Sequence, residues 1–482
     1  MTRDSGKAGR LGRVATAGIA ASVLLTILIG ALGPSAMVPP LAGPSWQPPF
    51  SLAVHPGGYL VIALGAAAVT LGGAGLAAGL AALARGWTFR ADLWLAAGIA
   101  AVAVLAFLPP SGSADHLNYA AYGRLAALGY DPYTVPPDGL PGDPVTGAVA
   151  EWGGVTSVYG PVATAVQAVA ALVGGDSVRL IVFVLAVVNA AAYIVTGLLL
   201  YRSAADGTRR RQVALLWAVN PLLIYQLAAG MHVDTLAILC MVAALVCGAA
   251  GRPVRSGLLL GLGVGVKATA GLVALGPAWE LRRSPRTLAV VAGSAVAAAG
   301  IVYALAGPQA FDQVGAAGRR VSLAVPWSLV KRGLQQAFGP GAYTVWIQVG
   351  SLLLFAGLAV LLVRVFSRAA LQAAEVAVAV TVAWLFAAPY ALPWYDGLAF
   401  ALLALAFHPV LAAFMTARVI LLSLAYLPAR QAGQPPGAQE WLVEVVRANV
   451  VPWLLMALTA ALVWWAWRAG QSGDRAAEAR SG

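Results

Sequence analysis

The run LIVFVLAVVNAAAYIVTGLLLY (Leu180–Tyr201) decides the fold of this chain, because none of its residues is charged. As an α-helix rising about 1.5 Å per residue, a run of this length crosses the roughly 30 Å hydrocarbon core of a bilayer. Comparable runs recur along the chain, so the sequence predicts an all-α polytopic membrane protein. We predict about twelve transmembrane helices, near 14–33, 57–84, 93–109, 180–201, 213–230, 234–251, 287–306, 342–364, 369–389, 395–413, 414–429 and 449–468.

The composition excludes a soluble enzyme. Of the 482 residues, 60% are hydrophobic and 10% are charged, whereas about a quarter are charged in a typical soluble protein. The net charge of +12 does not indicate nucleic acid, since the basic residues lie in small groups between apolar runs, as in cytoplasmic loops. The two cysteines, Cys240 and Cys247, share one apolar run, which excludes a disulfide framework. The lipid bilayer is therefore the expected partner.

Basic residues set the predicted orientation, because loops rich in Lys and Arg stay in the cytoplasm. Arg3, Lys7 and Arg10 place the N-terminus inside, although the first run also fits a cleaved signal peptide. The run 161–173 is too short to span and is predicted to be re-entrant. Both ends of the chain then lie in the cytoplasm.

The segment Ser256–Trp279 poses a stricter test, since arginines on both of its flanks favour the cytoplasm and so few residues cannot cross twice. Two half-helices with Lys267 near the turn satisfy both flanks. An ionisable residue in apolar surroundings usually marks a site lined by water or a counter-ion. The nearby glycines would let another chain or a ligand approach closely; they are Gly261, Gly263, Gly265 and Gly271.

Four regions follow from this pattern. Residues 1–92 form two N-terminal transmembrane helices, and 93–306 form a membrane module whose long outer loop at 110–159 offers candidate catalytic residues. Residues 307–468 form a C-terminal transmembrane region with a basic outer loop at 307–341. The remaining residues, 469–482, are small, polar and charged, which predicts a disordered cytoplasmic tail.

Candidate chemistry lies in the outer segments. Asp115–Leu125 is predicted to form an amphipathic helix on the membrane surface, and Asp115 is either its N-cap or a catalytic carboxylate. Asp234 equally suits the start of the helix at Thr235, and Pro389–Asp396 has the aromatic content of an interfacial belt. Carboxylates, Lys267 and the basic loop together suit a lipid-linked phosphate substrate.

At these residues the sequence resembles the actinobacterial polyprenol-phosphomannose-dependent α-(1→6)-mannosyltransferases of the GT-C class of integral membrane glycosyltransferases. The resemblance covers about residues 93 to 430 in matching order. It rests on Asp115–Arg124 with Gly129–Tyr133, Tyr159-Gly160-Pro161, Asn220-Pro221 leading to His232-Val233-Asp234, the glycine-rich run into Lys267, and Pro393-Trp394-Tyr395.

The resemblance implies an extracytoplasmic enzyme of the plasma membrane that takes mannose from polyprenyl phosphate mannose and extends the mannan of a lipoglycan such as lipomannan. It implies an inverting single displacement with Asp115 as the catalytic base. Donor-phosphate binding is expected at Lys267, Arg319, Arg320, Lys331 and Arg332. Sugar or lipid binding is expected at His116, Tyr119, Arg124, Tyr159, His232, Asp234, Trp394 and Tyr395.

Two departures from the family pattern bear on metals. His116 follows Asp115 where many GT-C members carry a second acid, and Val233 stands where others have Asn. We therefore expect no metal and no cofactor, with protein cations neutralising the leaving phosphate.

Other functions fit part of the pattern. A transporter or flippase of a lipid-linked sugar also uses broken helices, although the halves of the chain show no internal repeat. An assembly subunit without catalysis and a GT-C enzyme that uses arabinofuranose or glucose remain open as well.

Overall fold

The computed structural model describes residues 2–311, 320–366, 371–430 and 432–481, and within these ranges the regular structure is entirely helical. The helices, in chain order, are α1 (Thr2–Leu32), α2 (Gly58–Leu83), α3 (Ala91–Ala106), α4 (Asp115–Ala127), α5 (Pro161–Gly174), α6 (Val178–Ser203), α7 (Gly207–Ala229, with π-helical turns), α8 (Asp234–Ala249), α9 (Pro253–Val266), α10 (Leu275–Glu280), α11 (Pro285–Ala306), α12 (Pro326–Phe338), α13 (Thr344–Val365), α14 (Ala373–Ala387), α15 (Gly397–Leu405), α16 (Pro409–Ala425) and α17 (Val451–Ser481).

Seven helices in the described part of the chain are long and apolar enough to cross a membrane: α1, α2, α6, α7, α11, α13 and the continuous segment Glu440–Gln471. They coincide with seven of the twelve predicted spans and confirm an all-α polytopic membrane protein. The other five predicted spans correspond to shorter apolar helices, namely α3, α8, α14, α16 and the segment Pro393–Leu405. That these five also cross the membrane stays a prediction.

The two predicted partial insertions correspond to short helical segments. The first is α5, which begins at Pro161 as the sequence indicates. The second is broken at Lys267, whose backbone is extended (φ −154°, ψ 115°) between α9 and a 3₁₀ turn, Ala268–Ala274, that leads into α10. The predicted break at Lys267 is therefore confirmed, and the insertion of both halves from the same side of the membrane stays a prediction.

Glycines of α9 bring neighbouring helices close rather than admitting a ligand. A Cβ on Gly257 would lie 2.3 Å from the carbonyl oxygen of Val291, and one on Gly261 would lie 2.4 Å from that of Ala295. Both distances are far inside van der Waals contact, so α9 and α11 pack backbone to backbone. A Cβ on Gly263 would meet Met241 at 2.1 Å, and one on Gly265 would meet Val162 of α5 at 2.8 Å.

Helix α4 is buried against the rest of the protein, and the prediction that it is amphipathic is wrong. Most of its residues are buried, including both sides of a supposedly amphipathic helix. The reason is its small side chains: a Cβ on Gly123 would lie 2.2 Å from the carbonyl oxygen of Gln167, so α5 packs directly on α4. The predicted helix itself is confirmed.

The last helix, α17, continues to Ser481, through the segment predicted to be a disordered tail. Residues 475–480 of this segment are all Ala, Arg or Glu, and all three have high helix propensity. The division into four regions stays a prediction.

Candidate active site

Asp115 is the first residue of α4, and its carboxylate does not cap the helix. Ala114 occupies the N-cap position without a side-chain hydrogen bond, and the Asp115 N–H donates to Ser113 Oγ at 3.0 Å. The carboxylate instead faces His232, with Oδ2 3.6 Å from Nδ1. The Asp115 side chain is 23% exposed, whereas that of His232 is 1% exposed. Asp115 is thus the member of the pair that a substrate can reach.

His232 links Asp115 to two aromatic residues. The Tyr119 hydroxyl lies 3.3 Å from His232 Nδ1, and the imidazole stacks on the Trp394 ring at 3.7 Å with 11° between the planes. Burial, together with the positive charge of Lys267, holds the pKa of His232 well below its ordinary value. A neutral imidazole at this distance leaves the negative charge of the Asp115 carboxylate in place.

Lys267 forms an ion pair with Asp234, which follows His232 by two residues in the sequence. Its Nζ lies 2.5 Å from Asp234 Oδ1 and 3.6 Å from the centre of the Tyr395 ring. Asp234 begins α8 after Val233, which makes no cap, so the carboxylate serves the ion pair and not the helix end. A cavity of about 20 Å³ adjoins the pair and is lined also by Trp384 and Tyr395. A space of that size holds one water molecule.

The Tyr159-Gly160-Pro161 motif packs against the break in the helix. The Gly160 N–H donates to the carbonyl oxygen of Val266 at 3.0 Å, one residue before Lys267. Tyr159 meets Tyr119 edge-on, with ring centres 5.0 Å apart. One contiguous cluster therefore contains eight of the residues that the sequence singles out: Asp115, Tyr119, Tyr159, His232, Asp234, Lys267, Trp394 and Tyr395.

The sequence of this chain matches a known protein family. The model of a family described as "Alpha-(1->6)-mannopyranosyltransferase, N-terminal domain" matches residues 15–282, more than half of the chain. The chain belongs to this mannopyranosyltransferase family. Its matched part supplies Asp115, His232, Asp234 and Lys267, which confirms the predicted resemblance.

Two relatives named "Alpha-(1->6)-mannopyranosyltransferase A" support the same family. The chain is 29% identical to the Corynebacterium glutamicum protein over 174 residues, which cover 36% of each chain. It is 29% identical to the Mycobacterium tuberculosis protein over 188 residues, which cover 38% of this chain and 35% of the relative. The matched stretches span about a third of each relative's length. No solved structure matches significantly.

Two predicted binding residues of this family member lie outside the cluster. Arg124 forms ion pairs with Asp143 at 2.8 Å and Asp176 at 2.6 Å, so it ties the outer loop to the turn between α5 and α6. His116 is fully buried. Burial and the positive charge of Arg430 lower its pKa to about 3, so His116 is a neutral interior side chain.

The basic loop, 307–341, contributes fewer cations to the cluster than its composition predicts. Arg319 lies outside the described residues. Arg320 lies over the Trp152 ring at 5.6 Å; Tyr122 and Tyr390 lie close to both Arg320 and Asp115. Arg332 is bound to the start of the last span, where it donates to the carbonyl oxygen of Ala448 and to Asn449 Oδ1 at 2.7 Å each. No contact in the described part of the chain joins Lys331 to the cluster.

Arg430 and Arg447 are cations that the sequence interpretation missed. Arg430 is 6% exposed and donates through Nη1 to the carbonyl oxygen of Ser35. Arg447 donates through Nε to that of Ala425. Glu151 lies near both arginines and near Asp115. Among the described residues, Arg430 Nε and Arg447 Nη2 are buried without a hydrogen-bond partner, so each arginine retains an unused donor.

Metal binding has no obvious site in the described residues, which contain no group of three or more His, Cys, Asp or Glu side chains close enough to hold an ion. Arg430 and Arg447 lie in a polar stretch between apolar runs, 430–448. That position is a sequence signal for them, but it assigns no role without knowledge of what packs against the stretch.

Proposed function

We propose that this protein is a membrane mannosyltransferase that moves mannose from polyprenyl phosphate mannose to a growing α-(1→6)-mannan of a lipoglycan of the lipomannan type. The reaction takes place on the extracytoplasmic face of the plasma membrane. The observation that carries the proposal is the Asp115 carboxylate, which is partly exposed, raised in pKa and backed by aromatic rings in a chain of the mannopyranosyltransferase family.

The reaction is a single inverting displacement. Asp115 takes the proton of the acceptor hydroxyl while the hydroxyl oxygen attacks the anomeric carbon from the face opposite the phosphate. The bond from the anomeric carbon to the phosphate oxygen breaks, and polyprenyl phosphate leaves with the electron pair. Trp394, Tyr395 and Tyr159 offer aromatic faces that suit the pyranose ring and the isoprenyl chain.

The leaving phosphate needs cations that have unused hydrogen-bond donors. Lys267 is already neutralised by Asp234 at 2.5 Å, and Arg332 is held at the last span. Arg320 and Arg430 suit the role better, because Arg320 shares its tyrosine neighbours with Asp115 and Arg430 keeps an unused Nε donor. Arginine also matches the geometry of phosphate oxygens.

A transfer assay in sealed spheroplasts tests the proposal. Radiolabelled polyprenyl phosphate mannose and a membrane-impermeant α-(1→6)-mannoside are added outside cells that express the protein or an empty vector. We expect labelled mannose in the acceptor only with the protein. Transfer with another polyprenyl-phosphate sugar alone would change the donor, and transfer only after permeabilisation would move the site to the cytoplasm. Movement of the lipid-linked sugar without transfer would favour a flippase.

The pH dependence of transfer reports the ionisation of Asp115. Its pKa is raised to about 6, first by burial and then by the charges of Asp234 and Glu151, against the opposing effects of Ser113 and Lys267. A base must be ionised, so kcat/KM is expected to fall about tenfold per pH unit below pH 6. An ordinary aspartate would keep its activity down to about pH 4. A decline in kcat/KM that begins only near pH 4 would contradict the raised pKa of Asp115.

Replacing Arg430 by Gln is expected to raise the donor KM about tenfold, because it removes a charge-assisted hydrogen bond to phosphate. The acceptor KM should stay unchanged. Arg332→Gln removes the same group from a cation that is bound elsewhere, and its donor KM should match wild type. A larger effect of Arg332→Gln than of Arg430→Gln would return phosphate binding to the basic loop.

A further inference from the structure

An ion pair between Asp396 and Arg418 lies in the interior of the helical bundle. Asp396 is fully buried and the Arg418 side chain is 3% exposed. Charges in such surroundings are costly, and breaking the pair would leave one of them uncompensated. The reaction proposed above gives neither residue a role, so their presence requires a separate explanation.

The Arg418 guanidinium joins three elements of the fold. Arg418 lies on α16 and binds Asp396, the last residue of the 3₁₀ turn Pro393–Asp396. Its Nη2 also donates to the carbonyl oxygen of Leu385 on α14 at 2.8 Å. The turn is thereby held from two neighbouring helices at once. A single nonpolar contact would leave the turn free to rotate, whereas the guanidinium, bound on two sides, fixes its orientation.

The turn carries the two aromatic residues of the cluster. Trp394 stacks on His232, and Tyr395 faces the Lys267 ammonium. On the residue after the turn, a Cβ at Gly397 would lie 2.7 Å from Leu227 Cδ1. The turn is therefore packed tightly against α7 on one side and tied by Arg418 on the other. A small rotation of the turn would move both aromatic contacts together.

We propose that Asp396 and Arg418 are positioning residues, which hold Trp394 against His232 and Tyr395 against Lys267 and thereby set the geometry of sugar transfer. The inference rests on the proposed function only in that its effect on rate is measured with the polyprenyl-phosphate donor. Neither residue touches the substrate. They act through the aromatic pair, where a displacement of about 1 Å can cost a hundredfold in rate.

The test compares Asp396→Asn/Arg418→Gln, which removes both charges and leaves no lone ion, with Arg418→Lys, which keeps the charge but not the planar fork. We expect kcat to fall at least about tenfold in the double variant and by less in Arg418→Lys, with both variants folded in detergent. Ser423→Ala is the matched control. Ser423 lies on α16, as Arg418 does, and the change removes a buried hydrogen bond from Gln226 without touching the turn. Its kcat should equal that of wild type.

A double-mutant cycle separates positioning from general stability. In a Trp394→Leu/Tyr395→Leu background, removal of the ion pair should cost little further activity, because the residues through which it acts are gone. Fully additive losses, or wild-type kcat in the Asp396→Asn/Arg418→Gln variant, would overturn the proposal. If wild type uses a different polyprenyl-phosphate sugar, the proposed donor fails while the same cycle, run with that sugar, still decides the positioning.

A spectroscopic measurement decides the positioning without any transfer. The near-UV circular dichroism of wild type minus that of Trp394→Phe isolates the signal of the stacked Trp394. The same difference, measured with Asp396→Asn/Arg418→Gln present, should collapse. An unchanged difference spectrum would show that Trp394 stays in place without the ion pair and would overturn the inference.

Discussion

Replacing Asp115 by Asn is expected to abolish mannose transfer while leaving the protein folded. The amide has the shape of the carboxylate but cannot accept the acceptor proton, and loss of a general base typically costs about 10²- to 10⁴-fold in rate. The backbone bond to Ser113 does not depend on the side chain, so α4 should begin at the same residue. The measurement is kcat with radiolabelled donor in membranes at matched expression.

Asp131→Asn is the matched control for Asp115→Asn. Asp131 lies in the same outer loop, and its Oδ1 accepts a hydrogen bond from the Tyr133 N–H at 2.9 Å. An asparagine oxygen can accept the same bond, so transfer should continue at the wild-type rate. Equal rates in the Asp115→Asn and Asp131→Asn variants would remove Asp115 from the reaction while leaving the family assignment untouched.

Replacing Gly160 by Ala is expected to lower both stability and activity sharply. The added Cβ would lie 2.2 Å from the carbonyl oxygen of Gly265, a separation that no real contact permits. The segments that carry Gly160 and Gly265 must move apart. This movement stretches the hydrogen bond from the Gly160 N–H to the carbonyl oxygen of Val266 and displaces the break at Lys267. Overpacking of this kind typically costs about 1–3 kcal/mol. The measurements are the thermal midpoint in detergent and the transfer rate.

Gly147→Ala provides the control for Gly160→Ala. A Cβ at Gly147 meets nothing within 4 Å, and the residue lies in the outer loop, so the same chemical change should alter neither the thermal midpoint nor the rate. Because the φ of Gly160 is −73°, alanine is conformationally permitted there and any loss is steric. A thermal midpoint and a rate in Gly160→Ala that match those of Gly147→Ala would mean that Gly160 and Gly265 are not in contact.

The apolar runs predict helices well because a bilayer span is a local property of consecutive residues. The break at Lys267 is predictable for a related reason: arginines on both flanks of a short segment leave no other path. Both inferences use residues that are near one another in sequence. They require no knowledge of which helices pack together.

The partners of individual side chains were not predictable in this way. Arg124 lies in a family motif, yet its charge is used by Asp143 and Asp176. The aromatic content of Pro389–Asp396 predicts an interfacial belt, whereas Asp396 is buried against Arg418 of a later helix. The role of Arg430 is not readable from its own stretch of sequence, because its partner, the carbonyl oxygen of Ser35, lies in the N-terminal loop. These outcomes depend on contacts between distant parts of the chain.

The order in which the cluster is completed bears on how the protein is made. Asp234 and Lys267 are 33 residues apart, so they can pair as soon as α8 and α9 have been inserted. Trp394 and Tyr395 reach the cluster only after several more helices have been synthesised. During that interval the ion pair compensates two charges that would otherwise be unpaired in apolar surroundings. The two charges are thus paired early, and the cluster becomes complete only when most of the chain has been synthesised.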